Sequence, residues 1–386
     1  MKPFQLPRVF PAVLFLLLWS IACVEPFETN LNLKEFLLVI DGSLTDQPDI
    51  NYVSIRLSYP SSSNSTVSSF RGVNDAQVWL MVDETSRVDL TLAEKGTYLF
   101  PDGFRAEEGR SYQLFFQTSD GKQFESNKQS IKKVAPIKNI YQRYVPEGIP
   151  LGNTTTPGHK VYVDFDDPAG KGDAYYWTWR LFEKQDYCKS CEGGYYQRSG
   201  ADDLGVCVAD QVLINNKVTY DYSCEVPCWE IIPSSKLVAQ NDAFSDGRSI
   251  VGKEVAEIPF YTSYGAVLEL KQHAISLDAY NFVKLLIDQN QNSGSLADTP
   301  STALVGNVRS SSDETDLVGG YFVLSSVNVV NYFLTRSDMI NPGRPIGLLR
   351  RPANPEESSS PSRPPLAPCV NSISRTNNQP PNWTNE

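Results

Sequence analysis

Histidine is almost missing from this chain. Its 386 residues contain His159 and His273, 114 positions apart, and Pro-Gly-His at His159 reads as a turn. A catalytic triad would have to draw on His273, yet no Gly-x-Ser-x-Gly elbow accompanies it. No phosphate-cradling loop is present either, since "AGKGD" is only a glycine turn with a lysine. Basic charge is also short, with 34 Lys and Arg against 45 Asp and Glu. Such an acidic surface repels nucleic acid and anionic head groups, so nucleic acid is not an expected partner. After residue 22 no stretch is long and apolar enough to span a bilayer as a helix.

The first 22 residues read as a secretory signal. Lys2 and Arg8 precede an apolar run from Val9 to Ala22, and Ser20 and Ala22 are the small residues of a cleavage site. Cys23 follows directly. The segment Ser20-Ile21-Ala22-Cys23 resembles a lipobox, with Ser where Leu is most usual, so Cys23 is the expected site of lipidation. Removal of residues 1–22 leaves 32 basic and 45 acidic side chains, a net charge of −13.

Six further cysteines remain: Cys188, Cys191, Cys207, Cys224, Cys228 and Cys369. An even number in an exported chain favours disulfides, with 15 connectivities open for three bridges. The competing reading is zinc, because Cys188-Lys-Ser-Cys191 and Cys224-Glu-Val-Pro-Cys228 give two close ligand pairs. Disulfides are preferred, and no metal or other cofactor is expected.

The pattern from residue 36 onward is mainly β. "NYVSIRLSYP" alternates Val53, Ile55 and Leu57 against polar neighbours, the period of a half-buried strand. "DAQVWLMVDE", "RVDLTLAE", "GTYLFP" and "SYQLFFQTSDGKQFES" follow with turns between them. Short strands at this spacing predict an immunoglobulin-like β-sandwich over 23–133. A connector holding Pro136, Pro146, Pro150 and Pro157 leads into a second β-rich region, 134–341. Within it, 186–232 reads as a cysteine-stapled insertion, and 277–289 as one packed helix. In that helix Ala279, Phe282, Val283, Leu286 and Ile287 fall at helical spacing, with Ser276 as N-cap. Residues 342–386 hold 10 of the 26 prolines and are expected to form an extended strap, tied down by Cys369 and Trp383.

Two acidic clusters invite a metal reading. "NDAFSDG" has Asp242, Asp246 and Gly247 at positions one, five and six of a calcium loop, but Phe244 and Lys253 occupy positions three and twelve, so the EF-hand pattern fails. Asp164, Asp166 and Asp167 lie in "VDFDDP". Aromatic residues suggest ligand binding instead. "YYWTW" puts Tyr175, Trp177 and Trp179 on one strand face, where rings could stack on a sugar. The same alternation is the ordinary signature of a core. Tyr195 and Tyr196, in the insertion, are the better exposed candidates for a glycan or peptide ligand.

Taken in order, "LLVIDGSLTDQP", "VNDAQVWL", "GTYLFPDGFRAEEGRSYQLFF", "NDAFSDGRSI", "LDAYNFVKLL" and "VGGYFVLSSV" resemble a family of Bacteroidota outer-membrane lipoproteins known as domain of unknown function 4249. The likeness runs along almost the whole chain. It departs at the closing cysteine, which stands alone where a close pair is usual. The resemblance implies a non-enzymatic lipoprotein held in outer-membrane lipid through acylated Cys23, often partnered with a TonB-dependent β-barrel transporter in nutrient uptake. Glu25 and Glu28 after the anchor resemble surface-export signals, which favours the cell surface over the periplasmic face. A stand-alone glycan-binding or adhesin-like lipoprotein is the second expectation, and a hydrolase the third.

Overall fold

The computed structural model describes residues 37–48, 51–59, 69–200, 203–290, 304–313, 316–357 and 364–384. The expected signal segment 1–22 and Cys23 lie outside the described residues. The protein is mainly β, as the alternating pattern predicts.

An eleven-stranded sheet runs through the molecule. Its central element is the long strand Val318–Leu334, which has a different neighbour on each half. The first half pairs in parallel with Leu37–Thr45, Leu38 opposite Val318 and Thr45 opposite Ser325. The second half pairs antiparallel with Ala266–Ile275, Ala274 opposite Ser326 and Ala266 opposite Leu334. Beyond Leu37–Thr45 the sheet continues through Tyr52–Tyr59, and beyond Ala266–Ile275 through Ala174–Lys184 and Trp229–Pro233. The parallel start depends on Gly320. Its φ is +88°, and a Cβ there would sit 1.8 Å from the carbonyl oxygen of Ile40, so only glycine fits.

Two further sheets cover this one. A five-stranded sheet of Val308–Ser310, Gln123–Ser126, Tyr112–Gln117, Gln77–Val82 and Ser86–Asp89 closes the first core. There Ile40, Leu44, Val53 and Ile55 meet Val78, Leu80, Leu114 and Phe116, all buried. Both sheets thus draw strands from 37–126 and from 308–325. A three-stranded sheet of Ile137–Leu151, Thr154–Asp166 and Ser249–Pro259 closes the second core. Here Val161, Val163 and Phe165 pack with Trp177, Leu181, Leu268 and Leu270. The alternation of "YYWTW" is the reason: one face of its strand is apolar enough to be buried, at about 25 cal/mol per Å² of apolar surface.

The expected helix is present as Leu277–Asn290. Ser276 Oγ accepts from the N–H of Ala279 at 3.2 Å, and Asp278 lies in the first turn. Ala279 and Val283 bury against Ala174, Ile275 and Tyr321, on the sheet face opposite the second core. A second, short helix, Gln211–Asn215, lies inside the cysteine-rich insertion. Its cap is Asp210, whose carboxylate accepts from Val212 and Leu213 N–H at 2.8 and 3.1 Å.

Candidate functional site

The cysteine-rich insertion folds as a separate head on the edge of the large sheet. Strand Tyr187–Glu192 pairs with Thr219–Ser223, and Gly194–Gln197 pairs with Val206–Ala209. Three disulfides staple these pieces: Cys188–Cys224, Cys191–Cys207 and Cys228–Cys369. No bond forms within either close pair: Cys188–Cys224 joins the two, while Cys191 and Cys228 find partners outside them, in Cys207 and Cys369. Sulfur atoms of Cys188, Cys228 and Cys369 do lie within 4.8 Å of one another. Each, however, is spent in an S–S bond and is not the thiolate a zinc site needs, which corrects the competing metal reading.

Cys369 fastens the C-terminal strap to the head, and polar contacts extend the fastening. Arg351 donates both Nη atoms to Asp221, at 2.7 and 2.6 Å, and Ser190 Oγ and the Asn354 N–H donate to the same carboxylate. Burial opposes ionisation of Asp221, but these donors outweigh it and hold the carboxyl below its usual range. Tyr222 Oη donates to Glu356 at 2.6 Å. Further along, Arg375–Thr376 pairs with Trp229–Glu230, and Trp383 packs edge-on against Trp229 and Phe333.

Apolar side chains remain on the outside of this head. Leu204, Val206, Val212, Val226, Leu366 and Ile373 are all exposed, Val212 by 65% and Ile373 by 97%. Arg198 brings several of their segments together, donating to the carbonyls of Asp203 and Leu366 at 2.5 and 3.2 Å and pairing with Glu225 at 2.8 Å. Leu204, Val226 and Leu366 therefore stand on adjoining segments around one guanidinium.

The ring candidates separate. Trp177 and Trp179 keep 0% and 8% of their surface and belong to the second core. Trp177 Nε1 donates to buried Gln272 at 2.9 Å, so even its polar edge is satisfied inside. Tyr196 is 0% exposed, with its hydroxyl donating to Leu204 O at 2.7 Å. None of these three rings can stack on an external ligand, because folding has already covered them. Tyr195 alone is half-exposed.

Both histidines are buried. His273 stacks on Tyr176 at 4.2 Å between Thr178 and Ser325, and burial, helped by Lys271, pushes its imidazole down to about 3. His159 belongs to a chain of ionic groups that the sequence did not announce. Glu183, wholly buried, accepts from Arg336 at 2.6 Å and Thr262 at 2.9 Å. Arg336 also donates to His159 at 3.1 Å, and His159 bonds Asp338 at 2.8 Å. Burial lowers the His159 imidazole; Asp338 pulls it up without overcoming that, and Arg336 adds to the lowering.

The acidic clusters serve as loop bolts. Asp242 accepts from the N–H groups of Gly172 and Asp173 at 2.6 and 3.0 Å, and Asp246 from Gly170 at 2.9 Å. Asp167 accepts from Tyr175 Oη at 2.8 Å and Ser245 Oγ at 3.1 Å. Asp164 takes the N–H of Gly252 at 2.8 Å, and Asp166 the hydroxyl of Ser249 at 2.6 Å.

Fold and head together define a disulfide-stapled, mainly β protein with a strapped, partly apolar head. It belongs to the family described as domain of unknown function (DUF4249), whose model matches residues 24–329. No curated protein matches the chain.

Proposed function

We propose that this protein is a non-catalytic, lipid-anchored accessory protein of the outer membrane that docks on a TonB-dependent β-barrel transporter and assists nutrient capture or uptake. In this reading acylated Cys23 holds the chain in outer-membrane lipid, facing the cell surface. The immunoglobulin-like β-sandwich built around Leu37–Thr45 acts as the membrane-proximal spacer, and the stapled head makes the contact.

The supporting observation is the head itself. Leu204, Val226 and Leu366 are exposed on segments that Arg198 draws together, and clustered exposed apolar side chains mark interaction surfaces. Three disulfides and the Arg351–Asp221 clasp hold these side chains in place before any partner arrives, which lowers the ordering cost of binding.

The test is affinity purification of the full-length protein, tagged at its C-terminus, from detergent-extracted envelopes. A β-barrel should co-purify stoichiometrically and be lost with Val212→Asp or Leu366→Asp. Purification without any barrel, or capture unaffected by both substitutions, would overturn the proposal. Intact mass of the mature chain tests the anchor: a start at unmodified Cys23 contradicts it.

A further inference from the structure

The outer face of the five-stranded sheet carries side chains that folding does not require. Its inner face, with Val78, Leu80, Leu114 and Phe116, fills the first core. An outer face open to water is ordinarily polar. Here Trp79, Met81 and Phe115 point outward and are only partly covered. Trp79 and Phe115 are cross-strand partners with rings stacked at 5.9 Å and 7°. Arg87 lies over the Trp79 ring at 4.3 Å, and its Nε donates to Asp89 at 2.8 Å.

Beside Phe115 is a cavity of about 170 Å³, walled by Phe115 and Met81 and rimmed by Ser111, Gln113, Glu84 and Lys128. Trp79 does not line it, so Phe115 offers the cavity a surface other than the one Trp79 covers. We propose that this cavity is a binding site for one ring of a neutral saccharide.

Three observations select that class. The volume suits a single ring and falls short of the roughly 300 Å³ of a drug-sized pocket. The wall is aromatic and apolar while the rim carries amide, hydroxyl and charged groups, matching a pyranose, which has an apolar C–H face and a girdle of hydroxyls. The rim is also balanced: Lys128 pairs with Glu84, which leaves no net charge to attract an anion. Gln113 is fixed by donation to Ser126 O at 2.8 Å, which leaves its side-chain carbonyl as an oriented acceptor. Ser111 also lines a second cavity of about 530 Å³ toward Arg110 and Lys132, a route for further sugar units.

The site is independent of docking by the head, and the experiment separates the two. Saturation-transfer NMR on the full mature chain would use methyl pyranosides of gluco, galacto, manno and N-acetylgluco configuration, neutral oligosaccharides of the same sugars, and oligogalacturonate as the anionic control. At least one neutral saccharide should receive transfer. Phe115→Ala should weaken its binding about tenfold, the worth of one lost ring contact, and Phe115→Tyr should retain it. Gln113→Ala, which leaves the ring stack in place, should weaken it as well, while Val212→Asp on the head leaves it unchanged. Transfer to no neutral saccharide, transfer to oligogalacturonate alone, or binding indifferent to both Phe115→Ala and Gln113→Ala would overturn the assignment.

Discussion

Nη1 of Arg336 lies 3.1 Å from Nδ1 of His159. A guanidinium can only donate, so the imidazole must accept there and carry its one proton on Nε2, facing Asp338. The chain from buried Glu183 through Arg336 and His159 to exposed Asp338 is thus built for a neutral histidine. It joins the end of the strand Val318–Leu334 to the strands Thr154–Asp166 and Ala174–Lys184.

Acid should weaken the fold through both histidines. Their folded-state values lie below the ordinary 6.5, so below that pH the unfolded chain binds more protons than the folded one. Their contribution is complete above about pH 6.5 and is lost as pH falls toward the folded values, for His273 down to about 3. Each histidine steepens the loss by up to about 1.4 kcal/mol per pH unit. Urea midpoints between about pH 6.5 and 5 should fall less steeply for His273→Gln than for the native chain. Equal slopes would contradict this account.

Removing one member of the buried pair should hurt more than replacing both. Glu183→Ala leaves Arg336 buried and uncompensated, an expected loss of about 3–5 kcal/mol. The double variant Glu183→Leu with Arg336→Met should recover much of it. Denaturant unfolding of the three proteins checks the order.

The disulfides should differ in weight. Cys228–Cys369 spans 141 positions and Cys191–Cys207 spans 16. On chain-entropy grounds the first contributes about 5 kcal/mol and the second about 3. Replacing both cysteines of each bridge by serine should therefore lower the melting temperature more for the longer loop. Limited proteolysis should cut that variant first within the strap, at 352–384.

Gly320→Ala should be among the most damaging single substitutions. It combines a left-handed φ with a clash against Ile40 O, an expected loss of about 2 kcal/mol or more. Near-UV circular dichroism and melting temperature would register it, and a variant as stable as the native chain would refute the strain argument.

What could be read in advance follows the range of the interactions. The Leu277–Asn290 helix and the burial of Trp177 are written in local periodicity, and both are present. Cysteine parity implied bridges, but the partners lie up to 141 positions apart, a distance no local pattern encodes. Gln211–Asn215 carried a legible signal in Asp210, masked by the surrounding cysteines. "VWLMV" had a subtler one, because a strand apolar on consecutive positions has an apolar side left over. Glu183, Arg336 and Asp338 are brought to His159 only by tertiary packing.

The shared strand Val318–Leu334 sets a timetable for the chain. Leu37–Thr45 is among the first strands made, yet one of its edges waits for residues some 280 positions later. Contacts of such separation form late and slowly. The first core is therefore sealed near the end of folding. Until then the edge of Leu37–Thr45 offers unpaired backbone to any passing strand, the hazard of open sheet edges. A fragment ending at residue 133 keeps that hazard permanently, and aggregation rather than a small stable domain is its expected fate.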